Sequence, residues 1–534
     1  MKPSFRQSTA LVHTWGGLLV GWGLFFIFLT GTLGYVNHEI DRWMMPERMS
    51  VSTPLAAADL VRSAEDWLAR EVGDAQSWYV FLPAGPRNAG FSVGWRAWPA
   101  GERRFGTYQQ QALDPPTGHA LNLSVRETGG GQTLYRMHYR LHYLPYDLAI
   151  LIVGVCSMFM LVAIISGVII HKKIFKDFFT FRPGKGQRSW LDGHNLLSVT
   201  ALPFHLMITW SGLIFYMFTY MPVAADALYP KGEARDRFRT EVSGDAGISP
   251  GAKAPVAETA PVAVMLARAE QAWERGAVQT IRIESPGREG AQVMMYARQS
   301  GIGRSNRTLL FDGVTGEVLR AGPPRGTATG RFEQVMLGLH EGLFAGPVLR
   351  ALYVLAGLCG TAMIATGLLL WSAKRKAKMT QNEAAHFGMA AVDILNLGTI
   401  IGLPIGVAAY FWANRLLPVG MEGRADWEVH VMFVTWGLAY VYTIWRPLNR
   451  AWRELCCLAA AACGLIPILN ALTTDRHLLA SIPGGDWVMA GFDLSAFAAG
   501  LFFLFLVRMT YRKPRRKTAD AAVVAEAASN PKAV

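Results

Sequence analysis

Seven histidines carry most of the chemistry this sequence offers. His13, His138, His142, His171, His194, His205 and His340 lie in or beside the first four long apolar runs. A later run holds only His430, with His386 and His477 in adjoining loops. Ionisable side chains at membrane depth are costly and usually functional. A neutral imidazole carries no charge into the low dielectric and is a natural ligand for haem iron in a helix bundle. Spacing orders the seven by depth. His171 ends the second run, His194 begins the third and His13 lies just inside the first, so these three share one face. His142 begins the second run and His340 precedes the fourth, on the opposite face; His138 comes one helical turn before His142. His194 and His205 stand about three turns, or about 16 Å, apart, so on one helix they point the same way. A lone histidine at a span end is often only an interfacial residue. Two matched levels from several helices are instead what two stacked haems require.

The elements that must position these residues are spanning helices. Of the 534 residues 51% are hydrophobic and only 17% charged, and the apolar residues gather in long runs. A bilayer core takes about 20 apolar residues of helix. Eight candidate spans are expected, at Leu11–Tyr35, Tyr146–Ile170, Leu191–Tyr220, Val348–Trp371, Ala391–Trp412, Val429–Trp445, Leu455–Leu472 and Trp487–Val507. Glycines recur in the first four (HTWGGLLVGWG, ISG, WSG, GLCG) and let backbones approach a ring or one another. Trp15, Trp190 and Trp210 read mainly as interfacial aromatics, with packing on haem as the alternative.

Basic residues set the expected orientation. Lys2 and Arg6 precede span one; Lys172, Lys173, Lys176, Arg182, Lys185 and Arg188 follow span two. Lys374, Arg375, Lys376 and Lys378 follow span four, Arg446, Arg450 and Arg453 follow span six, and RMTYRKPRRK closes span eight. With eight spans all lie on one side, which the positive-inside rule makes cytoplasmic, together with both termini. The net charge of +13 is therefore a membrane signal, and no nucleic-acid partner is expected. The first run is too long for a cleaved signal peptide and is expected to remain as a span.

Two polar segments, Asn37–Tyr143 and Met221–Gly346, fall on the opposite side and resemble each other. Each opens with a helix-like stretch (LAAADLVRSAEDWLAR; PVAVMLARAEQAWERG). Strand-like residues follow, and each closes on an Asp-to-Thr-Gly turn (LDPPTGHAL; FDGVTGEVL). The expected unit is a repeated small α+β module. The domains read as 1–36, 37–143, 144–220, 221–346, 347–378, a four-span extension over 379–510, and a tail over 511–534, Ala-rich from Ala519.

Cys156, Cys359, Cys456, Cys457 and Cys463 all lie in apolar runs without a CxxC pair, so neither a disulfide framework nor a thiolate metal site is expected. No CxxCH is present, so any haem is bound non-covalently. No nucleotide or flavin motif appears, and electrons must come from a separate donor, a quinol or a soluble reductase.

Several segments in order resemble the PepSY-associated transmembrane proteins. They are HTWGGLLVGWGLFFIFLTGTLGY, RMHYRLHYL, SGVIIHKKIFKDFFTFRPGKGQRSWLDGHNLLSVTALPFHLMITWSGL and LGLHEGLFAGPVLRALYVLAGLCGTAMIATGLLLW. The resemblance covers about residues 8 to 375, and the two outer segments look like PepSY modules. It implies an iron-regulated bacterial inner-membrane protein: an α-helical membrane bundle with two small periplasmic α+β insertions. Some members are di-haem reductases that release iron from ferric siderophores. Carried onto this chain, the family's histidines fall at His13, His138 or His142, His194 and His340, with His171 and His205 in matching motifs. The expectation is an oxidoreductase with two b-type haems reducing a ferric siderophore or other ferric chelate. One haem is expected on His340 with His142 or His138, the other on His194 with His13 or His171, and His205 is open to either. The competing class is a binding or regulatory protein whose PepSY modules restrain a protease or sense a ligand. The minimal reductases resemble only the part before Lys378.

Overall fold

The protein is described by a computed structural model. It describes residues 4–47, 55–83, 90–99, 106–115, 117–121, 126–171, 186–220, 253–298, 301–304, 307–321, 328–377 and 387–511, with 174, 178, 180, 182, 184 and 227. Lys2, Lys172, Lys173, Lys176, Lys185, Lys378, the basic residues after Tyr511, the tail from Ala519, and most of the stretch from Met221 lie outside these residues.

Six helical segments are long and apolar enough to cross a membrane: Phe5–Gly34 (α1), Tyr146–Ile170, Pro347–Lys376, Gly388–Leu416, Leu448–Thr473 and Trp487–Met509. A seventh is a broken pair, Gln187–Thr200 and Leu202–Phe215, bent by 69°. Pro203 accounts for the break: it has no N–H to give to Val199, and its ring crowds that turn. The remaining expected span, the sixth, is a helix, Arg424–Trp445, packed against its neighbours but not among those that qualify. Pro404 acts differently from Pro203. The helix ahead of it widens to a π-turn over Gly398–Gly402 and continues as Leu403–Leu416.

The two polar segments join into one domain. Ala57–Glu71 (α2) and Val262–Ala272 (α3) are its helices. The strands are Ser77–Phe81 (β1), Phe91–Arg96 (β2), Tyr108–Leu113 (β3), Val278–Glu284 (β4), Gln292–Ala297 (β5), Thr308–Asp312 (β6) and Val318–Ala321 (β7). They form a single sheet in the order β3-β2-β1-β4-β5-β6-β7. The two expected modules are thus halves of one sheet. Each half alone would leave an open edge at its first strand. The halves close both edges by pairing antiparallel, Tyr79 opposite Arg282 and Val80 opposite Ile281. Leu60, Leu68, Val80, Val93, Met265, Ile281 and Phe311 fill the core beneath α2 and α3. Both expected turns form: Asp114 accepts from the Thr117 hydroxyl at 2.7 Å, and Asp312 from the amides of Val314 and Thr315 at 2.9 Å each. Gly118 and Gly316 take the positive φ those turns need.

The helices after residue 387 are not a separate body. Their core runs without interruption into α1, with Phe26 stacked on Trp436 at 5.5 Å. Towards the sheet a buried polar network ties the two parts together. Arg424 and Glu428 pair at 2.5 Å, both fully buried, and Glu428 also accepts from the Thr128 hydroxyl and the Gly129 amide.

Candidate functional site

Four of the seven histidines meet in two pairs. Gly130–Arg140 (α4) carries His138, and Ala328–Glu341 (α9, counting α5 Tyr146–Ile170, α6 Gln187–Thr200, α7 Leu202–Phe215 and α8 Met217–Tyr220) carries His340. Both helices lead out of the sheet domain, and their imidazole centroids lie 6.0 Å apart. At the opposite end of the bundle His13 of α1 and His194 of α6 lie 6.3 Å apart. A metal ion held by two imidazole nitrogens at about 2.0–2.1 Å each would set the ring centroids about 6.5 Å apart. Both separations fit an ion between two rings.

Hydrogen bonding sets the tautomers. Nδ1 of His138 meets the Ile27 carbonyl at 2.8 Å; His13 meets that of Ala163, and His194 that of Met363, both at 2.9 Å. His340 is bonded to the Ile208 backbone, and its Nδ1 lies 3.1 Å from the Ser211 hydroxyl. A carbonyl only accepts, so Nδ1 of His13, His138 and His194 carries the proton, and Nε2 is left as the lone-pair nitrogen. Metal-bound histidines characteristically use their second nitrogen this way, to fix ring orientation and raise ligand basicity. On the two short helices α4 and α9, burial pushes the imidazole pKa values down. That of His340 falls to about 3, the nearby His138 adding to the effect, so these rings are neutral at pH 7.

Each of the four rings rests where a neighbouring helix has a glycine. A Cβ on Gly31 of α1 would come within 2.6 Å of His138 Nδ1, and one on Gly212 of α7 within 2.9 Å of His340. At the other pair, Gly167 of α5 faces His13 at 3.3 Å, and Gly367 of Pro347–Lys376 (α10) faces His194 at 3.1 Å. The glycines expected to let backbones approach a ring or one another are thus seats for these imidazole rings.

The remaining candidates stand apart. Helix α4 ends at Arg140, and Leu141 and His142 both take positive φ, 48° and 46°. That turn swings His142 off the face of His138 and stacks it on Phe433 at 5.8 Å. His171 caps the end of α5. The break before Pro203 cancels the shared face expected of His194 and His205. His205 is buried against Phe28, with Nε2 3.3 Å from the Ala356 carbonyl, the opposite tautomer from His13, His138 and His194. Outside the seven, His430 bonds Tyr143 at 2.6 Å.

Beside His138 and His340 opens a cleft of about 280 Å³, walled by Tyr135, Tyr139, Phe215 and Tyr216. Arg304 and Glu341 line it too, 3.3 Å apart, a pairing that no spacing in the sequence signals. Among the described residues no three histidine, cysteine, aspartate or glutamate side chains gather as a metal site. Two nitrogens per site suit a metal whose other ligands come from a macrocycle, so the donor set fits haem.

The helices and the cleft define a multi-pass membrane protein with a small sheet domain at one end. The model of the family described as PepSY-associated TM region matches residues 10–374, and the chain belongs to that family. The match ends with α10, so the helices that follow lie outside it. No curated protein matches the chain.

Proposed function

We propose that the chain passes electrons across a bacterial inner membrane and reduces a ferric chelate, of the siderophore class, on its sheet side. The observation that carries the reading is the pairing of His138 with His340 and of His13 with His194 at ion-spanning distance, with the carbonyl bonds that leave Nε2 as the donor. Bound at both pairs, b-type haem supplies one-electron redox chemistry. The protein's own part is to hold the rings, keep them neutral and keep water away.

Basic flanks support the direction. Arg6, Lys374, Arg375 and Lys376 stand at the end away from the sheet, and the positive-inside rule supports reading that end as cytoplasmic and the sheet as periplasmic. A quinol or a soluble reductase would then donate at the cytoplasmic end. The open cleft beside His138 and His340 admits an acceptor near the outer pair, with Arg304 offering a cation to an anionic chelate. Reduction releases iron because hard oxygen ligands hold Fe(II) far less tightly than Fe(III).

The test is anaerobic. Protein reduced with dithionite and freed of excess reductant is mixed with a panel of ferric chelates. The haem bands should return to the oxidised position while a ferrous chelator traps Fe(II). Protein that stays reduced against the whole panel would leave the binding or regulatory reading in its place. Cys156→Ser and Cys359→Ser should reoxidise at the parent rate, since neither thiol adjoins a histidine pair.

A further inference from the structure

We infer that Arg375, clamped between the indoles of Trp15 and Trp371, anchors a carboxylate of the haem assigned to His13 and His194; the inference rests on the function proposed above. It starts from helical spacing. Gly367, Trp371 and Arg375 recur every fourth residue of α10, so they line one stripe about 12 Å long. The stripe begins where Gly367 makes room for His194 and ends at the basic end of the bundle. Trp15, two residues beyond His13 on α1, packs edge-on against Trp371 at 5.9 Å. The Arg375 guanidinium carbon lies 4.6 Å from the Trp15 ring and 4.0 Å from that of Trp371. Two indole faces hold a guanidinium in place without neutralising it.

What this clamp presents is donors without acceptors. Arg375 Nε and Trp371 Nε1 are both buried, and neither has a hydrogen-bond partner among the described residues. Buried N–H groups in that state are costly, and the cost falls when an acceptor arrives. Other basic residues that follow the spans differ: Lys376 pairs with Asp393 at 2.6 Å, Arg182 with Asp192 at 2.8 Å and Arg446 with Glu454 at 2.6 Å. The matching ligand is an oxyanion. A lipid phosphate would draw the guanidinium out to the interface, as snorkelling arginines go. The buried Nε and the stripe leading from His194 instead favour a carboxylate held inside the bundle.

The test uses full-length apoprotein carrying His340→Ala, so that only the His13–His194 pair can fill. It is titrated with haem and with haem dimethyl ester, whose carboxylates are blocked. The parent should prefer haem over its ester by about tenfold, the worth of one charge-assisted hydrogen bond. Arg375→Gln should abolish that preference, and Trp371→Phe, which removes one N–H and keeps the ring, should reduce it. A preference unchanged in both variants overturns the inference. If Arg375→Gln instead loses only its thermal stabilisation by phosphatidylglycerol vesicles, the oxyanion is lipid phosphate and the inference is likewise overturned. Failure of both compounds to bind the parent with a haem spectrum would defeat the proposed function itself, and this inference with it.

Discussion

The two histidine pairs use the same parts to different ends. At the sheet-side pair, His138 and His340 ride on short helices that run out of the sheet domain, and their glycine seats are the tighter ones, at 2.6 and 2.9 Å. At the far pair, His13 and His194 ride on α1 and α6, and their seats are looser, at 3.1 and 3.3 Å. The charge beside each differs as well. Arg304, at the open cleft, stands against Glu341, whereas Arg375 sits between two indoles with buried donors to spare. A site open to its surroundings has its cation partly answered by the protein. The far pair leaves its cation for whatever is bound. The sheet-side pair should therefore be the more fragile and the more exchangeable of the two.

The largest expected effect tests the pairing itself. His340→Ala and His194→Ala should each cost about one haem per chain, and the double variant both, by pyridine haemochrome assay. His142→Ala and His171→Ala should keep the full complement. Full haem in either paired variant, or a loss in His142→Ala, would break the assignment.

Next in size is the network that anchors the start of α4. Glu428→Ala would leave the fully buried Arg424 without its carboxylate and free the Thr128–Gly129 turn. Such a loss costs about 3–5 kcal/mol. The melting temperature in detergent should fall sharply, and the sheet-side haem should leave before the far one. Loss of both together would show that the pairs share one fate.

The seats provide a smaller and sharper contrast. Gly31→Ala places a methyl where the His138 ring stands, an overlap worth about 1–3 kcal/mol, so the sheet-side site should bind haem about tenfold more weakly. Gly167→Ala meets His13 at 3.3 Å, which a small ring shift relieves. It should keep both haems and only move their absorption bands. Equal losses in the two variants would remove the difference between the seats.

How much of this was legible in the sequence depends on local rules. Apolar runs marked eight expected spans, of which six are long apolar helices and one is a broken pair, and Asp-Thr-Gly turns marked both halves of the sheet. The histidines at two depths were visible too, because depth is a count along a helix. Facing was not. Pro203 breaks the helix between His194 and His205, and two consecutive left-handed residues turn His142 away; a spacing rule assumes that the helix continues. The joining of the halves through β1 and β4 was hidden because strands carry no mark of their neighbour. The glycine seats were visible as glycines, but which ring each one faces is a fact of tertiary packing.

The smallest predicted effect concerns the seam of the sheet domain. Glu65 of α2 accepts from the Val262 amide of α3 at 3.2 Å, so one carboxyl group links the two halves. Burial, opposed by that hydrogen bond, lifts its pKa from 4.5 to about 7, with Asp66 adding a little. The folded domain then holds the proton more tightly than the unfolded chain. Stability from this group is complete below about pH 4.5, falls as pH rises towards about 7, and is gone above it. Glu65→Gln keeps an acceptor for Val262 and carries no charge to desolvate. The variant should match the parent at pH 5 and exceed it at pH 8 by about 1–2 kcal/mol. Thermal unfolding at the two pH values, with haem occupancy of each pair followed alongside, measures this. Because only the sheet-side helices leave the sheet directly, raising the pH should loosen the His138–His340 site in the parent and leave His13–His194 as it was. An equal stability change at both pH values would mean that Glu65 does not titrate in this range, and an equal haem loss at both pairs would mean that the sheet does not favour the site beneath it.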